Sequence, residues 1–226
     1  MIWIWDLETE ETRTLGPVSH QSGWAWQIAF APDGRHVYTN TMGGLTQWDV
    51  SIGSARTIAK GGTSFSISPD GQRIYVAGSS LTHEDPIVVY DLSSGDSTTI
   101  DSHAHATSIA VDPESVSLVT ENQNGDIRVG VVDGSEPHAL LGHQTAVWVR
   151  VSPDGRWIAS SDFAGSIRIW PTPDLSKPPL QTLPHDELIA KLRTLTNLRV
   201  VRDEESSTGW KLTRGPFPDW ETVPTW

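Results

Sequence analysis

Four stretches of this chain, QIAFAPDGRHVYTNT, SFSISPDGQRIYVAG, SIAVDPESVSLVTEN and VRVSPDGRWIASSD, are one pattern written four times. Their prolines, Pro32, Pro69, Pro113 and Pro153, lie 37, 44 and 40 residues apart. A repeat of that length is one supersecondary unit that cannot bury its own faces, so consecutive units must stack to make a core. The seventh residue after each proline is Thr39, Val76, Thr120 and Ser160, each preceded by an apolar pair. Before each proline, apolar residues alternate: Ile28 and Phe30, Phe65 and Ile67, Ile109 and Val111, Val149 and Val151. Alternation with period two is what a half-buried strand requires. The Asp-Gly pairs 33–34, 70–71 and 154–155 supply the turn into the next strand.

A third strand is predicted over residues 45–50, 87–92, 126–132 and 166–170, reaching Trp48, Tyr90 and Trp170, with Gly130 standing in that place in the third unit. More polar fourth segments follow at 54–59, 97–100 and 137–141. Strings of four short strands with a period near forty predict the blades of an all-β propeller rather than helical repeats. The blades fall at about 19–60, 61–101, 102–141 and 142–179. Residues 1–18 read as a third and fourth strand alone, so four full four-stranded blades and a partial one are expected, in an incomplete ring. That predicts the carboxyl-terminal part of a longer protein.

Nineteen glycines and fifteen prolines among 226 residues suit an architecture made largely of turns, and eleven tryptophans against two methionines point to stiff, flat packing units. A net charge of −12 opposes binding driven by phosphate neutralisation, which argues against nucleic acid and for a basic or neutral protein partner. With no cysteine there is no disulfide frame and no thiol chemistry, as suits the cytoplasm. MIWIWDLETEE has neither the basic start nor the long apolar stretch of a signal peptide, and no run of eighteen apolar residues offers a membrane span.

Trp5-Asp6, Trp48-Asp49, the weaker Tyr90-Asp91, Gly142-His143 and the Pro-Asp-Gly turns recur at fixed offsets. Across about residues 2–175 the chain resembles the WD-repeat β-propeller family. That resemblance implies a hydrogen-bonded set inside each blade: a His ahead of the inner strand, a Ser or Thr in the second strand, an Asp in the following turn and the Trp of the third strand. His143, Ser160 and Trp170 match three of these roles in the last unit. The turn position reads Met42, Glu84, Asn124 and Ala164, so the fourth role is eroded, with Asp162 able to substitute from nearby. His103 stands ten residues before Pro113 as His143 stands ten before Pro153, whereas Ala59 holds that place in the second unit. The resemblance further implies a platform for protein or peptide partners that carries no catalytic residue and needs no cofactor.

From residue 180 the period changes. Leu188, Leu192, Leu195 and Leu198 predict one amphipathic helix starting near His185 or Asp186, followed by strand candidates at 199–203 and 210–213 and a proline-rich end. This extension, 180–226, resembles the ending of a set of bacterial propeller proteins, some of which carry a serine/threonine kinase domain in front of the repeats. The kinase motifs themselves are not in this sequence: it has no Val-Ala-Ile-Lys strand, no His-Arg-Asp and no Asp-Phe-Gly. Trp210, Phe217, Trp220 and Trp226 are expected to seal the final blade rather than bind a separate protein.

Trp24, Trp26 and Trp148 precede or enter inner strands and are candidate partner anchors, with packing between blades as the plainer reading. Asp162 joins them as a partner-binding candidate. His103, His105 and Asp101 form a possible metal set, but the repeat position already accounts for His103, so no metal site is expected. His83-Glu84-Asp85 reads as a solvated loop. No nucleophile elbow, paired carboxylate or phosphate loop appears. The sequence therefore predicts a non-catalytic scaffold. One rival is a detached regulatory or substrate-recruiting propeller of a bacterial serine/threonine kinase. Another is a propeller hydrolase or metal-binding protein with its site at the central channel. Open blade edges also allow self-association.

Overall fold

The computed structural model describes residues 2–16, 25–41, 43–78, 85–114, 116–122, 124–143, 145, 147–195, 198–206 and 209–214. The chain divides into two compact units, Met1–Lys177 and Pro178–Trp226.

The first unit is a succession of antiparallel meanders. Strands β1 (Ile2–Trp5) and β2 (Thr12–Leu15) form a two-stranded sheet. The first blade is β3 (Ala25–Phe30), β4 (His36–Thr41), β5 (Gly44–Asp49) and β6 (Ala55–Ala59). The second is β7 (Ser64–Ile67), β8 (Arg73–Ala77), β9 (Ile87–Asp91) and β10 (Ser97–Ile100), and the third β11 (Ala106–Val111), β12 (Ser117–Asn122), β13 (Ile127–Val131) and β14 (His138–Leu140). The fourth is β15 (Val147–Val151), β16 (Trp157–Asp162) and β17 (Ile167–Pro171). Four blades stand in a propeller arrangement. The last sheet has three strands rather than the expected four. Pro171 ends its third strand and Pro173, Pro178 and Pro179 follow it, and prolines cannot donate to a ladder.

The repeat positions fall in one register. Thr39, Val76, Thr120 and Ser160 lie opposite Ile28, Phe65, Ile109 and Val149. Trp48, Tyr90, Gly130 and Trp170 lie opposite Val37, Ile74, Leu118 and Ile158. The turn between the first two strands is shared by the first, second and fourth blades: the N–H of Gly34, Gly71 and Gly155 donates to the carbonyl of Ala31, Ser68 and Ser152. Those glycines have φ near +65° to +70°, which is why the residue after Asp is Gly.

Because side chains alternate along a strand, each blade offers one face to the blade before it and one to the blade after. Phe65 packs with Tyr38 and Leu45 of the first blade; Ile109 packs with Tyr75 and Ile87 of the second; Val149 and Ile158 pack with Val119, Ile127 and Val129 of the third. The two-stranded sheet contributes Ile2 and Leu15 to a cluster with Val37, Trp48 and Val50. Burial of this apolar surface, at roughly 25 cal/mol per Å², is what couples one sheet to the next.

The second unit holds a 3-10 turn at Leu180–Thr182, a helix α1 (His185–Leu195), and a hairpin of β18 (Leu198–Arg202) and β19 (Trp210–Arg214). Asp186 and Glu187 occupy the first turn of α1, where an acid suits the positive end of the helix. The helix ends at Leu195, so Leu198, expected on its apolar stripe, instead opens β18 and pairs with Arg214. The β-branched pair Val200-Val201 favours the strand and overrides the leucine spacing. Phe217, Trp220 and Trp226 lie outside the described residues.

Candidate functional site

The fourth blade contains a closed chain of side-chain hydrogen bonds. The Trp170 indole N–H donates to Ser160 Oγ at 2.8 Å, Ser160 Oγ lies 2.7 Å from His143 Nε2, and His143 Nδ1 lies 2.9 Å from Asp162 Oδ2. A carboxylate only accepts, so Nδ1 carries the proton toward Asp162 and the Ser160 hydroxyl donates to Nε2. The bond from His143 holds the Asp162 carboxyl below its usual range. Gly142 leaves room for this packing, since a Cβ there would stand 2.8 Å from Arg168 Nη1 and 3.0 Å from Trp170 Cη2.

Ser160, His143 and Asp162 share the connectivity of a hydrolytic triad, but the surroundings exclude that use. Ser160 is 2% exposed and its oxygen already accepts the Trp170 indole, so no substrate carbonyl can approach it. The set ties the segment ahead of β15 to β16 and β17. Asp162, a partner-binding candidate from its position, is therefore an internal member: its side chain is 7% exposed and its carboxylate is occupied by His143.

The other blades keep fragments of this set. In the first, Trp48 Nε1 donates to Thr39 Oγ1 at 2.9 Å, with no histidine joining them among the described residues. In the third, His103 Nδ1 meets Thr120 Oγ1 at 2.7 Å, but Gly130 replaces the tryptophan. The second has Val76 and Tyr90, and burial raises the Tyr90 pKa. The aspartates of the Trp-Asp and Tyr-Asp pairs have a local task. Asp6 accepts from the N–H of Glu8 and Thr9, Asp49 from Ser51 and Ile52, and Asp91 from Ser93 and Ser94, closing the turn from third to fourth strand each time. The Ser51 hydroxyl, then the Arg35 guanidinium at 2.7 Å, hold Asp49 well below the carboxylate range.

Trp148 is 53% exposed and stacks edge-on against Phe163, centroids 5.1 Å apart. Phe163 is not among the residues singled out from the sequence; its signal is its place as a large apolar side chain in the turn after β16. Trp26 is 48% exposed, so it is not sealed between blades, and it sits at a bulge in the pairing of β3 with β4. Trp24 lies outside the described residues, as do His83 and Glu84. Trp157, at the start of β16, is exposed.

A cavity of about 340 Å³ draws on all four inner strands, with Ile28, Phe30, Ile67 and Ile109 in its wall. Its polar members are committed elsewhere: Gln27 bonds both backbone groups of Phe65, Ser66 accepts from the Val111 N–H, and Arg150 donates to the Val149 carbonyl. Among the described residues no group of three His, Asp or Glu side chains could hold a metal. His103 is buried against Thr120 rather than turned to a shared site with His105.

Residues 134–171 match the family model described as WD domain, G-beta repeat. The chain carries a WD repeat within a propeller arrangement of blades. The matched segment runs from the third blade's outer strand through β17 and contains all four members of the His143 set. No curated protein matches the chain. Among solved structures, TolB from Acinetobacter baumannii is similar with a TM-score of 0.56 at 16% identity, over 77% of this chain and 49% of that one. At that identity the likeness shows the fold alone, and the chain spans about half the length of TolB. Among the described residues no helix is long and apolar enough to cross a membrane.

Proposed function

We propose that the chain is a non-catalytic WD-repeat scaffold that binds protein or peptide partners, with the Trp148–Phe163 pair as an anchor. The observation that carries this is the pair's exposure. The places of Trp148 in the other inner strands, counted from the proline, are Gln27, Ser64 and Ser108, which are small or polar and serve the packing of blades. A tryptophan there is not needed by the stack, and rigid exposed aromatics carry much of the energy of protein interfaces. The Ser160–His143–Asp162 set is sealed, which favours binding over hydrolysis. The absence of cysteine suits a reducing cytoplasm. The test is selection from a random peptide library displayed on phage. Enriched peptides should lose about tenfold or more in affinity for Trp148→Ala, while circular dichroism stays unchanged. Binding indifferent to both Trp148→Ala and Phe163→Ala would remove the anchor.

A second reading, self-association, has its own support. Ile28 is 58% exposed whereas its counterparts Phe65, Ile109 and Val149 are buried. Ile167 and Ile169, at 75% and 60%, correspond to Ile127 and Val129, which are fully covered by the next blade. These faces suit a second copy stacked end to end. A heterologous contact of this kind either closes or grows. Sedimentation velocity across concentration measures it, and a constant monomer would oppose it.

A further inference from the structure

Tyr38 and Tyr75 hold the same place in successive blades, opposite Gln47 and Val89 respectively. In the first blade Gln47 Nε2 donates to the Tyr38 hydroxyl at 2.7 Å. In the second, valine has no donor, and the Tyr75 hydroxyl, in a residue that is fully covered, is buried without a partner among the described residues. Buried polar groups are rarely left so. Tyr75 and Val89 both line a groove of about 590 Å³ between the second and third blades, and the Ser102 hydroxyl, also buried and unpartnered, lines it too.

The groove has two chemistries. Val89, Ile100 and Val132 make apolar wall, while Asp91, Asp96, Asp101 and Asp133 set four carboxylates in the lining against the single guanidinium of Arg73. Asp91 is held firmly ionised, at about 2, first by the Ser93 hydroxyl and then by the backbone N–H of Ser94 and Ser93. These carboxylates are not grouped to hold a metal. A cation seated here has to bring its own donors and an apolar stem, as a long basic side chain does.

We propose that this groove receives an arginine side chain of a protein partner, its methylenes along Val89, Ile100 and Val132, its guanidinium among the carboxylates, and one N–H donated to the Tyr75 hydroxyl. Arginine suits the site better than lysine because its five donors fan out in a plane and can satisfy a carboxylate and a hydroxyl together. The inference rests on the scaffold reading and adds a second surface, away from Trp148, with a stated partner chemistry.

The experiment is an NMR titration of the ¹⁵N-labelled full chain with acetyl-Gly-Gly-Arg-Gly-Gly-amide, with the lysine and norleucine versions, and with agmatine as a free small cation. The arginine peptide should shift the amides of Ser102 and Gly134, bind more tightly than the other three, and weaken as salt is raised. Tyr75→Phe and Asp101→Asn should each lower its affinity by about tenfold, one through a lost hydroxyl and one through a lost charge on an exposed residue, with the amide spectrum of each free variant otherwise unchanged. Equal binding of the norleucine peptide, affinity unchanged in both variants, or agmatine binding as tightly as the peptide would each overturn the proposal. If the arginine effect is absent while Trp148-dependent peptides still bind, the groove alone is overturned and the scaffold stands. Loss of both overturns both.

Discussion

The third and fourth blades place a histidine at the same distance from the proline and use it differently. Both imidazoles reach a hydroxyl on the second strand at 2.7 Å, but His143 does so with Nε2 and His103 with Nδ1. The difference begins at the third strand. With Trp170 present, Ser160 is shared between indole and imidazole, and His143 turns its other nitrogen to Asp162. With Gly130 in that place, His103 Nε2 moves in to 2.8 Å from where a Cβ would stand, and ends buried without a partner among the described residues. Asn122, the counterpart of Asp162, donates its side-chain N–H to Asp126 and accepts at its carbonyl oxygen from the backbone N–H of Asn124 and Asp126. The lost indole thus goes with a reorganised polar set and a bulge opposite Asn122, while the register from Ser108 and Trp148 onward stays the same, because there it is set by the apolar positions and not by the set.

The comparison breaks most visibly with pH. Burial, and then the charge of Arg128, lower the His103 pKa to about 4, so its imidazole is neutral in the folded chain while in the unfolded chain it takes up a proton near its ordinary value of 6.5. The stability that this neutrality secures is fully present above pH 6.5 and is lost as pH falls from there toward 4. At the lower limit the loss is on the order of 3 kcal/mol. Urea unfolding at pH 7.5, 5.5 and 4.5 measures it. His103→Gln, neutral throughout, should flatten most of that slope; a slope unchanged in the variant would show that His103 is not its source.

Smaller, and confined to the hydrogen bonds, is the contrast between Ser160→Ala and Thr120→Val. The first strands two buried partners, His143 Nε2 and Trp170 Nε1, and should cost about 2 kcal/mol; the second strands one and should cost about 1 kcal/mol. Denaturant midpoints with unchanged m-values read both. Equal losses would mean that the indole adds nothing to the fourth blade.

Much of this was legible in the chain because the repeat repeats: four prolines put Thr39, Thr120 and Ser160 in one column, and the structure pairs that column with one row of inner-strand residues. Asp162 was legible only as a neighbour able to substitute, since its reach to His143 depends on the path of the turn after β16. Leu198 was misread because leucine spacing runs on by chance past the end of α1. The missing strand of the last blade was written in its prolines, but it counts as evidence only against the blades that have one. Tyr75 needed a comparison of columns: its own residue matches Tyr38, and the change that leaves its hydroxyl unpartnered is Val89 for Gln47 across the strand.

The finest test of the contrast is Gly130→Ala. The backbone there lies outside the left-handed region, so an alanine costs only space: its Cβ would meet His103 Nε2 at 2.8 Å and Pro137 Cβ at 2.9 Å. The expected loss is about 1 kcal/mol, since a small shift of either neighbour relieves part of it. If the imidazole is what occupies the vacated place of the tryptophan, His103→Ala should erase most of the penalty, giving a coupling of about 0.5 kcal/mol or more in a double-mutant cycle. Should Gly130→Ala cost the same with and without His103, Pro137 alone keeps the glycine, and the two blades differ by a missing indole rather than by a histidine that has taken its room.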